Sequence, residues 1–276
     1  MTVVTKTDVV DALHNLGIRE SDCVLVHSSM KSVGYMEGGP DAVIDGFLEV
    51  LADGTLVFPT LCSRDWEHVY ENWHMDAESD VGLLTNIFRK RQGALRSNQA
   101  THSVAAIGKE AEYLTRTHGE DGKRIGIYGD TPFSTDSPWE KMYQMNSKVV
   151  FWGVTAHFCT LRHLAEYIFV DQCLTDLEGK SEHEEFLDAL WLYGGENKVW
   201  PHVRSLNVYE ELRRMGAVKE TTCGDAKILC IEAKPFVDFC IKVLEDANTD
   251  FIVNMTVYQY QETLEWLKRL KDLRNK

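Results

Sequence analysis

The chain begins with helically spaced apolar residues and then breaks into strands. Val9, Val10, Leu13 and Leu16 fall on one face of a helix over 5–16, and Gly17 supplies its stop. Cys23-Val24-Leu25-Val26 is a short unbroken apolar run, the mark of a buried strand, and it ends at His27-Ser28-Ser29. Pro40 is placed to open a second helix, with Val43, Ile44, Phe47, Leu48 and Leu51 at its apolar positions. Asp53-Gly54 turns the chain into another buried strand over 55–61. Residues 64–80 are polar and aromatic without a period, which predicts a loop over a pocket.

Further along, the pattern predicts a helix over 82–91, a strand over 103–108, a helix over 109–117 and a glycine- and proline-rich loop over 119–137. The strongest strand signal is 148–154, followed by helical spacing over 161–170. A late strand falls at 227–231. A helix at 235–244 turns Phe236, Phe239, Cys240 and Val243 inward. The last stretch, 255–276, carries Leu264, Leu267, Leu270 and Leu273 as one helical stripe, suited to its own domain or to a twin subunit in a homodimer. Strands alternating with helices argue for a layered α/β fold. The expectation is one domain over 1–276, a three-layer α/β/α arrangement with a mixed central sheet. Neither GxGxxG nor GxxxxGK[ST] occurs, so it is not a Rossmann or P-loop fold.

Composition narrows the possibilities. With 44% hydrophobic and 26% charged residues the chain is of globular type. No apolar run is long enough for a membrane-spanning helix, and the first residues lack a signal pattern, so the expected address is cytoplasmic. A net charge of −14 makes it a poor binder of nucleic acid or anionic membrane and a plausible binder of cations. Nine of the acids lie in 165–200 against Lys180 and Lys198, either a solvated surface or a wall that attracts a polycation. The 7 cysteines form no CxxC pair, which points to reduced thiols without a disulfide framework. No recognisable metal-ligand spacing occurs, and no metal is expected.

Three stretches could carry chemistry. In VHSSMKSVG (26–34), followed by Gly38-Gly39-Pro40, a strand runs into hydroxyls, Lys31 and glycines, which suit phosphate or amide groups of a ligand. In LRSNQATHS (95–103), Arg96, His102 and three hydroxyls stand at a strand entrance. In FWGVTAHFCTLRHLAE (151–166), a strand ends where a helix begins, and His163 and Glu166 share a helical face. A neutral histidine there accepts a proton from an amine, and a nearby carboxylate orients it. Taken singly, each stretch is also what an ordinary connection or a core hydrogen bond produces.

Together, these stretches resemble the aminoglycoside 3-N-acetyltransferase family. That family typically shows VHSSLRSVG and GGP, a GTLVMPT-like strand, RRS with a THS segment, a PFGPDSP-like turn, and an LLGVG-like strand leading to NTxLHLAE. This chain reads VHSSMKSVG, GGP, GTLVFPT, LRSNQATHS, PFSTDSP and FWGV…CTLRHLAE in the same order. The resemblance implies acetyl transfer from acetyl-coenzyme A to a cationic amine of an aminoglycoside or amino sugar. It implies His163 as base, Thr160 near the thioester, and a downstream carboxylate supporting the histidine, Glu196 first and Asp188 second. It makes His27, Ser28, Ser29, Lys31, Ser32, Val33, His102 and Ser103 coenzyme-facing. Cys159 replaces the usual Asn, Arg162 an apolar residue, and 171–205 does not match the usual acceptor-side segment. Three alternatives follow: a relative acting on a non-antibiotic amine, a binder of coenzyme A that has lost transfer, and an acyl hydrolase using Cys159 with His157 or His163.

Overall fold

The computed structural model describes residues 3–62, 64–254 and 260–274. Its strands are β1 (Val3–Val4), β2 (Cys23–Ser28), β3 (Tyr35–Met36), β4 (Thr55–Pro59), β5 (Leu95–Arg96), β6 (Val104–Gly108), β7 (Lys148–Trp152), β8 (Lys219–Cys223) and β9 (Ala226–Glu232). The helices are α1 (Lys6–Asn15), α2 (Gly39–Val50), α3 (Val69–Asn72), α4 (Leu83–Phe88), α5 (Ala111–Thr115) and α6 (Pro138–Gln144), then α7 (Leu161–Leu177), α8 (His183–Ala189), α9 (Ser205–Arg214), α10 (Ala233–Glu245) and α11 (Tyr260–Arg274). Of the stretch 255–276, residues 255–259 and 275–276 lie outside the described residues.

Seven strands form one mixed sheet in the order β5-β6-β4-β2-β7-β9-β8. The middle strands β4, β2 and β7 run parallel; β6 on one side and β9 on the other run against them. Strand alternation divides the core into two faces. Leu25, Val57, Val149 and Phe151 point to the face covered by α7, α10 and their neighbours. Val24, Val26, Phe58, Val150 and Trp152 point to the face covered by α1 and α2. These are the three expected layers. Outside the main sheet, β1 and β3 pair in parallel.

This topology builds the site. The parallel strands end on one edge of the sheet, at Ser28, Pro59 and Trp152. Antiparallel β6 begins on that same edge, because Val104 pairs with Pro59. His27, Thr60, His102 and Gly153 are thereby gathered from four distant parts of the chain. The α7 helix starts beside them and is buried on nearly all sides from Leu161 to Val170. Its charged first turn is therefore forced into the interior or into the cavity.

The leucine stripe of α11 packs on this domain. Leu264, Leu267 and Leu270 are buried with Phe186 and Trp266 in the core on the α7 side. Arg269 pairs with Glu185 and Arg274 with Asp176, fastening the helix to α8 and α7.

Candidate active site

A cavity of about 970 Å³ opens at the shared strand edge. His27, Ser28, Ser29 and Pro59 form one part of its wall, Thr101, His102 and Tyr128 a second, and the 153–163 segment a third. Trp66 and Asp80, from the polar-aromatic connection, and Val81 just after it also line the cavity. A larger and more open hollow of about 1120 Å³ lies by β5, lined by Arg89, Lys90, Arg96 and Arg116, and contains no histidine.

His163 is the centre of the buried wall. Its Nδ1 stands 2.9 Å from Glu166 Oε2, one helical turn on. A carboxylate has no proton to give, so Nδ1 carries the hydrogen and Nε2 keeps its lone pair. Nε2 faces Arg162 Nε at 3.3 Å and the Tyr128 hydroxyl at 3.4 Å. Burial pushes the imidazole down to about 4, with Glu166 pulling the other way. At neutral pH the pair is thus a neutral ring donating to an anion rather than an ion pair.

Glu166 is fully buried. A lone carboxylate there would cost several kcal/mol. It is instead surrounded by donors: His163 Nδ1, the Trp200 indole at 3.0 Å and the Val203 amide at 2.8 Å, with His202 Nδ1 at 3.4 Å. These neighbours hold its carboxyl well below the usual range against the opposing effect of burial. The ligating atoms of His163, Glu166 and His202 lie within 4.8 Å of one another, close enough to raise the question of a cation. Both rings turn Nδ1 toward the carboxylate, so a cation would have to strip those protons and compete with the indole N–H.

The structure places the expected residues unequally. His27, Ser28, Ser29, His102, Thr160 and His163 all line the cavity. Thr160 makes no capping bond to its own helix. The Ser29 amide is spent on Trp152 O, at 2.8 Å. Lys31 is exposed on the turn Met30–Ser32, and Ser32 Oγ donates to Ser29 Oγ at 3.3 Å. Val33 is a core side chain and Ser103 is buried against Thr60, both away from the cavity wall. Glu196 is exposed in the 193–198 turn, and among the described residues no bond or ion pair joins it or Asp188 to His163. The carboxylate on that ring is Glu166. The acids of 171–198 likewise do not wall the cavity: Asp171 faces Arg124, Asp176 faces Arg274, and Glu185 faces Arg269. Cys159 lines the cavity as part of a buried residue, and burial pushes its thiol up to about 12, which leaves almost no thiolate.

Sequence reasoning missed Tyr128, Trp200 and His202. Tyr128 belongs to the 119–137 loop, which is held by two other tyrosines. Tyr167 Oη accepts from the Tyr128 amide at 2.8 Å and donates to Gly129 O at 3.0 Å, while Tyr70 donates to Tyr128 O at 2.7 Å. A side chain at Gly126 would collide with the Tyr167 ring, which explains that glycine. Trp200 and His202 sit in the segment expected to read the acceptor. The available signal was an indole and an imidazole flanking Pro201 in an otherwise acidic stretch.

A mixed α/β sheet thus sets a carboxylate-held histidine beside the ends of its parallel strands, in a cavity large enough for a ligand. The profile of the aminoglycoside 3-N-acetyltransferase family matches residues 25–245, and the chain belongs to that family. It is an acyltransferase, with acetyl-coenzyme A as co-substrate. Aminoglycoside N(3)-acetyltransferase VII of Streptomyces paromomycinus is 28% identical over 285 aligned positions, covering 88% of this chain and 92% of that protein. The prophage-derived aminoglycoside N(3')-acetyltransferase-like protein YokD of Bacillus subtilis is also 28% identical, covering 75% of this chain and 77% of its own. Among solved structures, a variant of aminoglycoside acetyltransferase AAC(3)-IVa in complex with a gentamicin superposes with a TM-score of 0.69 at 21% identity, covering 92% of this chain and 93% of that one. AAC-IIIb in a binary complex with CoASH gives 0.68 at 20% identity, covering 92% and 100%. At such identities these structures speak for the fold.

Proposed function

We propose that the chain moves the acetyl group of acetyl-coenzyme A directly onto an amine of an aminoglycoside or related amino sugar, with His163 as general base. One observation carries this reading: Glu166 holds Nδ1 of a neutral imidazole whose Nε2 faces the cavity. An amine that is protonated at pH 7 has no lone pair, so a base must take its proton before or during attack. Nε2 takes that proton, and the imidazolium forms against the Glu166 anion. The nitrogen–carbon bond forms at the thioester, its oxygen gains charge, and the carbon–sulfur bond then breaks to release the thiolate.

Positioned acid–base help of this kind is worth about 10²–10⁴-fold. The Thr160 hydroxyl, which is not spent on capping its helix, is the donor available for the developing oxyanion, worth roughly 3–4 kcal/mol. In this reading His27, Ser28, Ser29 and His102 line the coenzyme arm, and the exposed Lys31, on the turn that follows Ser29, is a charge for a coenzyme phosphate. Glu166, rather than Glu196, is the orienting carboxylate.

A thiol-release assay with acetyl-coenzyme A against aminoglycosides and simpler amino sugars tests the reading. His163→Ala is expected to lower turnover by at least about 10²-fold with little change in coenzyme affinity. Near-normal turnover in that variant would remove the assigned base.

A further inference from the structure

The first turn of α7 carries a cation that the proposed transfer does not use. Arg162 is half-buried and lines the cavity. Its one side-chain hydrogen bond among the described residues is Nε to His163 Nε2, at 3.3 Å. No carboxylate of the described residues pairs with it. The remaining guanidinium N–H groups have no acceptor among the described residues. Their fixed fork matches a carboxylate or phosphate bidentately.

The charge of the cavity points the same way. Asp80 is the one carboxylate on its wall among the described residues, and Arg64 stands 2.9 Å from it. His27, His102 and His163 are pushed toward the neutral form by burial. The Glu166 anion lies behind the His163 ring among donors of its own, so a polycation entering this space meets the Arg162 charge on the cavity side of the base and one carboxylate, Asp80, on the wall. An amine bearing its own acid meets a matched partner.

Resting on the transfer reading above, we propose that the acceptor carries a carboxylate or phosphate a few bonds from the amine that is acetylated, and that Arg162 is the receptor for that group. The acetyl group has no charge to offer the guanidinium. The coenzyme's phosphates are separated from its sulfur by the whole pantetheine arm, so they do not reach Arg162 when the thioester lies at His163. The anion therefore belongs to the acceptor. On binding, Arg162 turns from Nε2 to the acid and frees the lone pair for the incoming ammonium.

Three matched amino sugars test this: glucosamine, which carries no acid, and glucosamine 1-phosphate and muramic acid, whose phosphate or lactyl carboxylate is borne on a ring carbon adjacent to the amine-bearing one. The wild-type protein is expected to prefer one of the acidic sugars in kcat/KM by at least about tenfold, and Arg162→Gln to reduce that preference by roughly 10- to 100-fold through KM. Arg162→Lys should retain part of it, more for phosphate than for carboxylate. A wild-type preference for the neutral sugar overturns the proposal. So does an equal loss on all three sugars through kcat, which would make Arg162 an oxyanion donor or a structural residue. Calorimetric binding of glucosamine 1-phosphate and muramic acid to the protein loaded with coenzyme A is read separately from turnover. Binding of at least one weakened about tenfold or more by Arg162→Gln supports the proposal even if transfer to these sugars fails; equal binding of both by the two proteins overturns it. Aminoglycosides in the same thiol-release assay report on the transfer reading itself.

Discussion

Glu166 lies one turn beyond His163 on α7 and meets its Nδ1 at 2.9 Å while closing off from solvent completely. This contact sets the tautomer, so the ring presents a lone pair rather than an N–H to the cavity. Glu166→Gln removes the anion that raises the imidazole's proton affinity. The acid limb of kcat/KM should move to lower pH, and kcat should fall by at least about tenfold. A pH–rate profile checks both, and a thermal melt shows whether the amide is accommodated among its donors. Unaltered kcat with an unmoved acid limb would deny Glu166 a positioning role.

Cys159→Ser should keep transfer activity within about threefold, since burial holds the thiol at about 12 and the proposed transfer makes no use of it. The cost should appear in stability, on the order of 1–3 kcal/mol for a hydroxyl in an apolar site. Steady-state assay together with urea unfolding separates the two effects. Abolished transfer in a folded Cys159→Ser protein would restore the hydrolase-like alternative.

Acid should weaken the fold well before most carboxylates titrate. Burial pushes His27, His118 and His163 each down to about 4. Unfolding returns them to about 6.5, so the unfolded chain takes up protons first as the pH falls. Their contribution is complete above about pH 6.5 and declines between there and about pH 4. Each such group adds about 1.4 kcal/mol per pH unit to the slope within that window. Urea midpoints between pH 7.5 and 4.5 measure this, and a flat profile would contradict the buried neutral state.

Gly126→Ala should destabilise the protein by about 1–3 kcal/mol through overpacking against Tyr167. Because Tyr167 also anchors the amide of Tyr128, the ring beside His163 should shift as well, and kcat should fall more than coenzyme affinity. Calorimetric melting and coenzyme titration report the two parts. An unchanged melting temperature would mean the loop yields without strain.

Much of the architecture was legible in the order of apolar runs. β2, β4 and β7 are each built on an unbroken apolar run buried on both faces, and such runs announce themselves. Elements with little apolar surface did not. β8 reads Lys-Glu-Thr-Thr-Cys and sits at the sheet edge, exposed at most positions, so no alternation marks it. α6 is only two turns long, yet Ser137 and Pro138 at its start were a usable signal, and Ser137 Oγ does accept from the Glu140 amide. α7 runs to Leu177, beyond the predicted 170, because Cys173 and Leu177 continue its buried side.

At the site, His163 was legible because it follows a strong strand at helical spacing from an acid. Spacing puts Glu166 on the same helical face as His163, and the two are in contact; the resemblance points instead to a downstream acid, Glu196, which the fold leaves in solvent. Spacing along a helix fixes a contact; a downstream assignment depends on where a loop travels. Tyr128, Trp200 and His202 could not be placed, since their approach to His163 or Glu166 depends on connections without periodicity.

The knot at Glu166 ties α7 to Val203 through a backbone amide, so Val203's own side chain is irrelevant to that bond. The chain between Leu177 and Val199 leaves the base and returns to it by way of α8, whose Phe186 is buried in the core against Trp266. That return path is braced against the site: the Tyr193 amide donates to Gly126 O at 3.1 Å, in the loop that carries Tyr128, so the route back to Glu166 and the ring beside His163 share one support.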